Sequence, residues 1–326
     1  MRVLVTGATG FTGGHLVRSL AARGTPVRVL VRDKARAAAL AATGLQVAAG
    51  DLRDARAVEA ALEGIDLVYN IAALYREAGL PEQAYHDVNT RAVGALIAAA
   101  ARAGVGRVVH CSTVGVHGDV RRPPADEEAP LAPGDLYQRT KTAGEASARE
   151  ASLRYGVELV IARPTGIYGP GDRRLLKLFR GVARRRFVVL GDGRISYHLT
   201  YVDDLVEGLR LCGESPRAAG RTYILGGPET PTLNEIVTMI AEEAGVAPPR
   251  WHLPVWPVWL LGAACETACR PFAIEPPLHR RRVDFFTKNR AFDIARARHE
   301  LGFAPAIGLR EGVRRTLAWY REHGWL

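Results

Sequence analysis

Lysine is scarce in this chain of 326 residues: Lys34, Lys141, Lys177 and Lys288 are its only four, among 44 lysines and arginines. The formal charge of +10, against 34 acidic residues, is therefore an arginine excess, and it accompanies an excess of alanine. A bias of composition does not make a nucleic-acid surface, and no nucleic-acid partner is expected. The clusters Arg184–Arg186 and Arg280–Arg282 read as solvated faces, with contact to an anionic substrate or a membrane surface left open. Cysteine is scarce too. Of Cys111, Cys212, Cys265 and Cys269 only the last two are close. Without a further cysteine or histidine pair they form no metal site, so no metal is expected and the thiols read as reduced. Long apolar runs are missing as well. The stretch after Met1 ends at Thr6-Gly7, too short for a secretory signal, and a cytoplasmic protein is expected. Trp251–Cys269 is strongly apolar but carries Pro254, Pro257 and Glu266, and is too short to span a bilayer. It reads as a buried helix, as the lining for a lipid-like substrate, or as a helix lying on a membrane surface. The remaining balance, 48% hydrophobic and 24% charged, is that of a globular enzyme with one large domain or two smaller ones.

What is present begins at the first residues. Val3–Val5 is a short apolar run suited to a buried strand, and Leu16, Val17 and Leu20 have helical spacing. Between them lie Gly7, Gly10 and Gly13, with Thr9, Phe11 and Thr12 filling a G-x-x-G-x-x-G turn. Glycines let backbone approach a pyrophosphate, and the N–H groups and dipole of a helix opening there favour its negative charge. Further strands are expected at Val27–Val31, Leu45–Ala48, Leu67–Ile71, Arg107–Cys111 and Leu159–Ala162, with helices between them, one running over Ala84–Ala103. Such alternation predicts an α/β fold with a parallel, doubly wound sheet of Rossmann type. After residue 165 glycine and proline become frequent and helices dominate. Residues 1–165 are thus expected to form the dinucleotide-binding domain, with 195–226 returning to it. Residues 166–326 are expected to form an interleaved, mostly helical substrate lobe.

The chemistry lies in two segments. Tyr137 and Lys141 stand four apart on a helix after a proline-rich loop, so phenol and ammonium share one face. A nearby positive charge favours phenolate and suits the tyrosine to proton transfer. His110–Gly118 follows a predicted strand, placing the hydroxyls of Ser112 and Thr113 at the sheet edge where ligands bind.

With these residues the chain resembles the extended short-chain dehydrogenases/reductases of the NAD-dependent epimerase/dehydratase superfamily. The resemblance implies that Thr6–Gly13 is the cofactor loop and that Gly50-Asp51-Leu52 lies near adenine. It places Asn70–Ala73 beside the cofactor, with Ala72 and Ala73 as contacts and Asn70 where histidine is commoner. Asn89 falls on the family's helix asparagine. Thr113 is the active-site hydroxyl, with Ser112 in reserve, and Tyr137 and Lys141 are the Y-x-x-x-K pair. Pro164 belongs to the stretch near nicotinamide, which runs from Arg163 to Pro170. Arg32 suits the 2′-phosphate of NADP, while the adjacent Asp33 suits NAD; the reading leans to NADP.

Sugar-nucleotide members usually carry an arginine where Tyr197 and His198 stand, so a diphosphate clamp is missing there. Tyr75, Tyr197 and His198 are expected on the substrate side, and Trp256, Trp259 and Leu260 are expected to border an apolar cavity. The C-terminal lobe, in Leu253-Pro254, Pro276–Val283, Ala291–Asp293 and Leu301–Pro305, resembles the 3β-hydroxysteroid and sterol-carboxylate dehydrogenase branch. The resemblance implies an oxidoreductase acting on a secondary alcohol or ketone of a sterol- or lipid-like molecule. The alternative is a nucleotide-sugar epimerase or dehydratase in which Arg173, Arg174 or Arg184–Arg186 supplies the clamp. A non-catalytic cofactor sensor is the third class. Peripheral membrane contact and a homodimer, the latter by analogy with the family, complete the expectations.

Overall fold

The computed structural model describes residues 1–75, 77, 79–269 and 283–326. The Arg280–Arg282 cluster and most of Pro276–Val283 lie outside the described residues. The chain begins β1 (Val3–Thr6), α1 (Phe11–Ala22), β2 (Val27–Val31), α2 (Lys34–Ala41), β3 (Gln46–Ala49), α3 (Ala55–Leu62) and β4 (Leu67–Asn70). Next come α4 (Glu82–His86), a π-helical turn (Asp87–Arg91), α5 (Ala92–Arg102), β5 (Arg107–Cys111), α6 (Leu136–Tyr155) and β6 (Glu158–Pro164). The chain continues with β7 (Gly166–Tyr168), α7 (Leu176–Ala183), β8 (Val189–Leu190), β9 (Leu199–Tyr201), α8 (Val202–Glu214) and β10 (Thr222–Leu225). It ends with α9 (Leu233–Ala244), β11 (His252–Leu253), α10 (Val255–Cys269), α11 (Asp284–Thr287), α12 (Ala295–Leu301) and α13 (Leu309–Glu322).

Seven parallel strands form the sheet in the order β10-β6-β5-β4-β1-β2-β3. The period of two along β1 sorts its side chains between two layers. Val3 and Val5 pack with Leu16 and Leu20 of α1 and Leu205 and Leu209 of α8. Leu4 packs on the other face with Leu62 of α3 and Leu96 and Ile97 of α5. Both faces being covered explains why the strands read as continuous apolar runs. The chain order reverses between β1 and β4, and a crevice opens there at the carboxyl ends of the strands.

The helix expected over Ala84–Ala103 runs from Glu82 to Arg102, with the π-turn as a bulge within it, where the backbone of Asn89 meets α6 so closely that a Cβ on Gly144 would lie 2.1 Å from the Asn89 carbonyl. One local expectation is corrected. α10 is not a buried helix: Gly262 is its one buried residue. Trp256, Trp259, Leu260 and Leu261 are exposed, and no other layer of the described residues covers them.

Candidate active site

Two cavities share a border. The first, a groove of about 380 Å³, runs over the ends of β1, β2 and β4. Gly7 has φ +71°, and a Cβ there would sit 2.7 Å from the Ala72 nitrogen; one on Gly13 would sit 2.2 Å from the Gly7 carbonyl. Only glycine permits this cradle. Gly10 caps α1 without a side-chain bond, leaving the first-turn N–H groups open to an anion. Thr6 Oγ1 donates to Asn70 Oδ1 at 2.7 Å and accepts from Ala72 N at 3.1 Å, pinning the loop that closes the cradle. Thr9, Phe11, Thr12, Leu52 and Ala73 line the groove as well. The cradle fits the pyrophosphate of a dinucleotide.

At the far edge, Arg32 and Arg36 line the groove. Asp33 does not: its Oδ1 accepts from Ala35 N at 2.9 Å and Arg36 N at 3.0 Å, capping α2. Asp51 lines the groove and is held by Arg53 through bonds of 2.9 Å. Those hydrogen bonds outweigh its partial burial and keep its carboxyl below the usual range.

The second cavity, about 620 Å³, lies toward the lobe, and Tyr137, Tyr75, Ser112 and Arg174 border both. The rings of Tyr75 and Tyr137 meet edge to face at 4.8 Å. Thr113 borders the second cavity, with Oγ1 accepting from Gly115 N at 3.0 Å. Ser112 is nearly buried, and its hydroxyl donates to Glu145 Oε1 at 2.5 Å. Glu145 is paired in turn with Arg163 through bonds of 3.0 and 2.7 Å, the two side chains being 3% and 4% exposed. Burial would raise the Glu145 carboxyl, but its bonds to Arg163 prevail and hold it low. Arg163 also donates to His117 Nε2 at 3.1 Å, so that nitrogen is the unprotonated one. Burial, and then the Arg163 charge, lower the His117 pKa.

Lys141 borders neither cavity directly. Its Nζ donates to the Cys111 carbonyl at 2.7 Å and lies 3.4 Å from His110 Nε2, beneath the active-site loop. Burial lowers the pKa of Lys141, and burial together with the Lys141 charge drives that of His110 well down. Asn89 is corrected as a cofactor contact. It is fully buried, with Oδ1 accepting from Leu74 N at 2.9 Å and Nδ2 donating to Leu74 O at 3.0 Å and Thr140 Oγ1 at 3.1 Å. Its amide is spent on holding the groove wall to α6. Pro164 borders the lobe-side cavity and not the groove.

Tyr197 and His198 do border the second cavity. Trp256, Trp259 and Leu260 do not; its apolar wall is Leu178, Phe187, Phe285 and Phe286 instead. Arg290 escaped the sequence reading. A backbone bridge sets it beside Tyr197, with its guanidinium 5.1 Å over that ring and also bordering the cavity. A guanidinium thus stands near the place where the motif lacks one, and spacing along the chain held no sign of it. Arg174 sits over Phe11 at 5.6 Å and Tyr75 at 5.8 Å, at the junction of the two cavities. Arg173 packs on Trp325 instead, and neither it nor Arg184–Arg186 borders the cavity. Among the described residues no group of three or more His, Cys, Asp or Glu could hold a metal ion.

Residues 3–226 match the model of the NAD dependent epimerase/dehydratase family. The chain is 32% identical to sterol demethylase protein B of Methylococcus capsulatus, over all of both chains. It is 30% identical to 3beta-hydroxysteroid-dehydrogenase/decarboxylase isoform 1 of Arabidopsis thaliana, over 96% of this chain and 78% of the relative. Among solved structures it is similar to DesIV, a dTDP-glucose 4,6-dehydratase from Streptomyces venezuelae with NAD and TYD bound. That similarity has a TM-score of 0.79 and 28% identity, covering 100% of this chain and 98% of the other.

Proposed function

Since this chain belongs to the NAD-dependent epimerase/dehydratase family, we propose that it is an oxidoreductase interconverting a secondary alcohol and a ketone on an apolar, sterol- or lipid-like molecule. The observation that carries the reading is Tyr137, which borders both the glycine cradle and a cavity walled by Phe187, Phe285 and Phe286. A nicotinamide dinucleotide, when bound, supplies the hydride acceptor or donor. Tyr137 moves the proton at its phenolic oxygen, and Thr113 hydrogen-bonds the reacting oxygen. Lys141, one helical turn along α6, contributes the positive charge that favours phenolate, and the Cys111 carbonyl holds it in position. Ser112 is the weaker candidate for Thr113's role, because its hydroxyl already donates its hydrogen bond to Glu145. The aromatic wall supplies substrate affinity through burial, each methylene contributing about 0.8 kcal/mol. The names of the sterol demethylase and hydroxysteroid dehydrogenase relatives support this substrate class.

For the cofactor we favour NADP over NAD. Arg32 and Arg36 border the ribose end, while Asp33 is committed to its helix cap. A sugar-nucleotide substrate is the second reading, favoured by Arg174 and Arg290 in the cavity and by the DesIV likeness.

One assay separates these. NADPH and NADH are each offered with a sterol-like ketone, and a UDP-sugar is titrated at two ionic strengths. The expected result is ketone-dependent oxidation, faster with NADPH, and weak binding of the UDP-sugar. Arg32→Ala should raise the KM for NADPH by about tenfold or more and spare NADH, as for a lost charge-assisted contact. Tight, salt-sensitive UDP-sugar binding with epimerised product and no net cofactor consumption overturns the first reading.

A further inference from the structure

We propose that α10 is a docking helix for an anionic phospholipid bilayer. The helix runs Val-Trp-Pro-Val-Trp-Leu-Leu-Gly-Ala-Ala-Cys-Glu-Thr-Ala-Cys and is apolar on every side, with Glu266 its one charged residue. A helix of that kind is ordinarily buried. Here Trp256 is 66% exposed, Leu260 51% and Leu261 62%, and Trp251, just before β11, is 77% exposed. Its 15 residues extend about 22 Å, short of the roughly 30 Å a bilayer core requires. No helix among the described residues is long and apolar enough to cross a membrane. An exposed apolar segment too short to span, with tryptophan at its entrance, has the make-up of a helix lying in the lipid interface.

Charge names the occupant. β11 pairs in parallel with β8, Val189 N bonding to Trp251 O and Gly191 N to Leu253 O. That parallel register sets the exposed Arg184–Arg186, before β8, on the same end of the pair as Arg250, before β11; at the other end Gly191 meets Val255, the first residue of α10, and exposed Arg194 follows three residues on. None of these five guanidinium groups holds an ion pair among the described residues, and Asp192 is the one acid in the two segments around β8 and β11. Unpaired arginines at the ends of the strand pair that leads into an apolar helix complement phosphate headgroups over acyl chains, and each arginine there adds to the attraction of an anionic leaflet. β8 follows closely on Phe187, which lines the substrate cavity and stacks on Phe286 at 6.0 Å. Arg184–Arg186 and the cavity-lining Phe187 are therefore consecutive in the chain, and the β8–β11 pairing joins them to the strand that leads into α10.

The test uses the full chain with vesicles of phosphatidylglycerol and phosphatidylcholine in equal parts, and with phosphatidylcholine alone. The protein should float with the anionic vesicles, less so as salt rises, and acyl-chain bromines should quench its tryptophan fluorescence. R184Q/R185Q/R186Q should lower the partition coefficient about a hundredfold at low salt. W256S/L260S should lower it about tenfold and reduce the quenching. Dinucleotide titration and thermal unfolding of both variants verify that they remain folded. Equal partition and quenching for W256S/L260S and the parent would reduce the binding to general charge attraction by a +10 chain and overturn the proposal. So would an absence of vesicle binding together with self-association, in sedimentation, that W256S/L260S removes; the face would then belong to a second copy.

Discussion

The cofactor groove and the substrate cavity meet at Tyr137 yet are built from different materials. The groove is backbone. Gly7 and Gly13 leave no room for a Cβ, and its anion-binding donors are the N–H groups opening α1. The cavity is side chains gathered from separate parts of the chain: Thr113 after β5, Tyr197 before β9, Phe285 and Phe286 in α11, and Arg290 beyond them. A backbone surface tolerates almost no substitution, because one added carbon fills it. A side-chain surface needs only a volume and a few polar points, which many residue combinations provide. One half of the site therefore announces the cofactor and the other leaves the substrate to be argued.

The strongest way to probe that difference is at the seam. Tyr137→Phe keeps the ring against Tyr75 and removes the transferable proton. Turnover should fall by about 10² to 10⁴ in steady-state assays while dinucleotide affinity and Tm stay unchanged. Near-parental turnover would end the assignment of Tyr137 as acid and base.

Crossed substitutions separate the two halves. Gly13→Ala drives a methyl to 2.2 Å from the Gly7 carbonyl. It should cost about 1–3 kcal/mol in stability and raise the dinucleotide Kd, with substrate KM at saturating cofactor unaffected. Phe286→Ala should do the reverse, raising substrate KM about tenfold through lost apolar contact with little effect on kcat or cofactor Kd. If both variants moved both constants alike, the halves would not be separable.

A smaller effect concerns the polar layer beneath the seam. Burial holds His110 and His117 below their ordinary pKa of 6.5, and Arg163 holds Glu145 below its ordinary 4.5. A group whose pKa is lowered on folding stabilises the fold above its unfolded value, and that stabilisation is lost as pH falls toward the folded value. The histidines therefore begin to destabilise the protein below pH 6.5, and Glu145 joins them below 4.5. The urea midpoint should be lower at about pH 5.5 than at about pH 8. An unchanged midpoint would mean that the two imidazoles are not held neutral in the fold.

The sequence was legible where short-range physics decides. The strand after Met1, the glycine turn and the Tyr137–Lys141 spacing on α6 each depend on residues within one or two turns of each other. It misled where burial depends on what lies opposite. Trp256, Trp259 and Leu260 have the composition of a cavity wall, but no layer of the described residues covers them, and Phe285 and Phe286 take that place. Asn89 fell on a family position, yet Leu74 and Thr140 consume its amide. Beside Arg32, Asp33 offered the sequence an acid for a ribose hydroxyl, but its carboxylate caps α2.

By itself, then, the sequence determined the parallel sheet and the phosphate cradle, because short apolar runs and closely spaced glycines act locally on the backbone. Only the tertiary structure decided which side chains line the cavity beside Tyr137, that Arg290 lies over Tyr197, and that α10 stays on the surface. Those outcomes turn on packing between segments far apart in the chain, and no local pattern encodes which distant surface a side chain will meet.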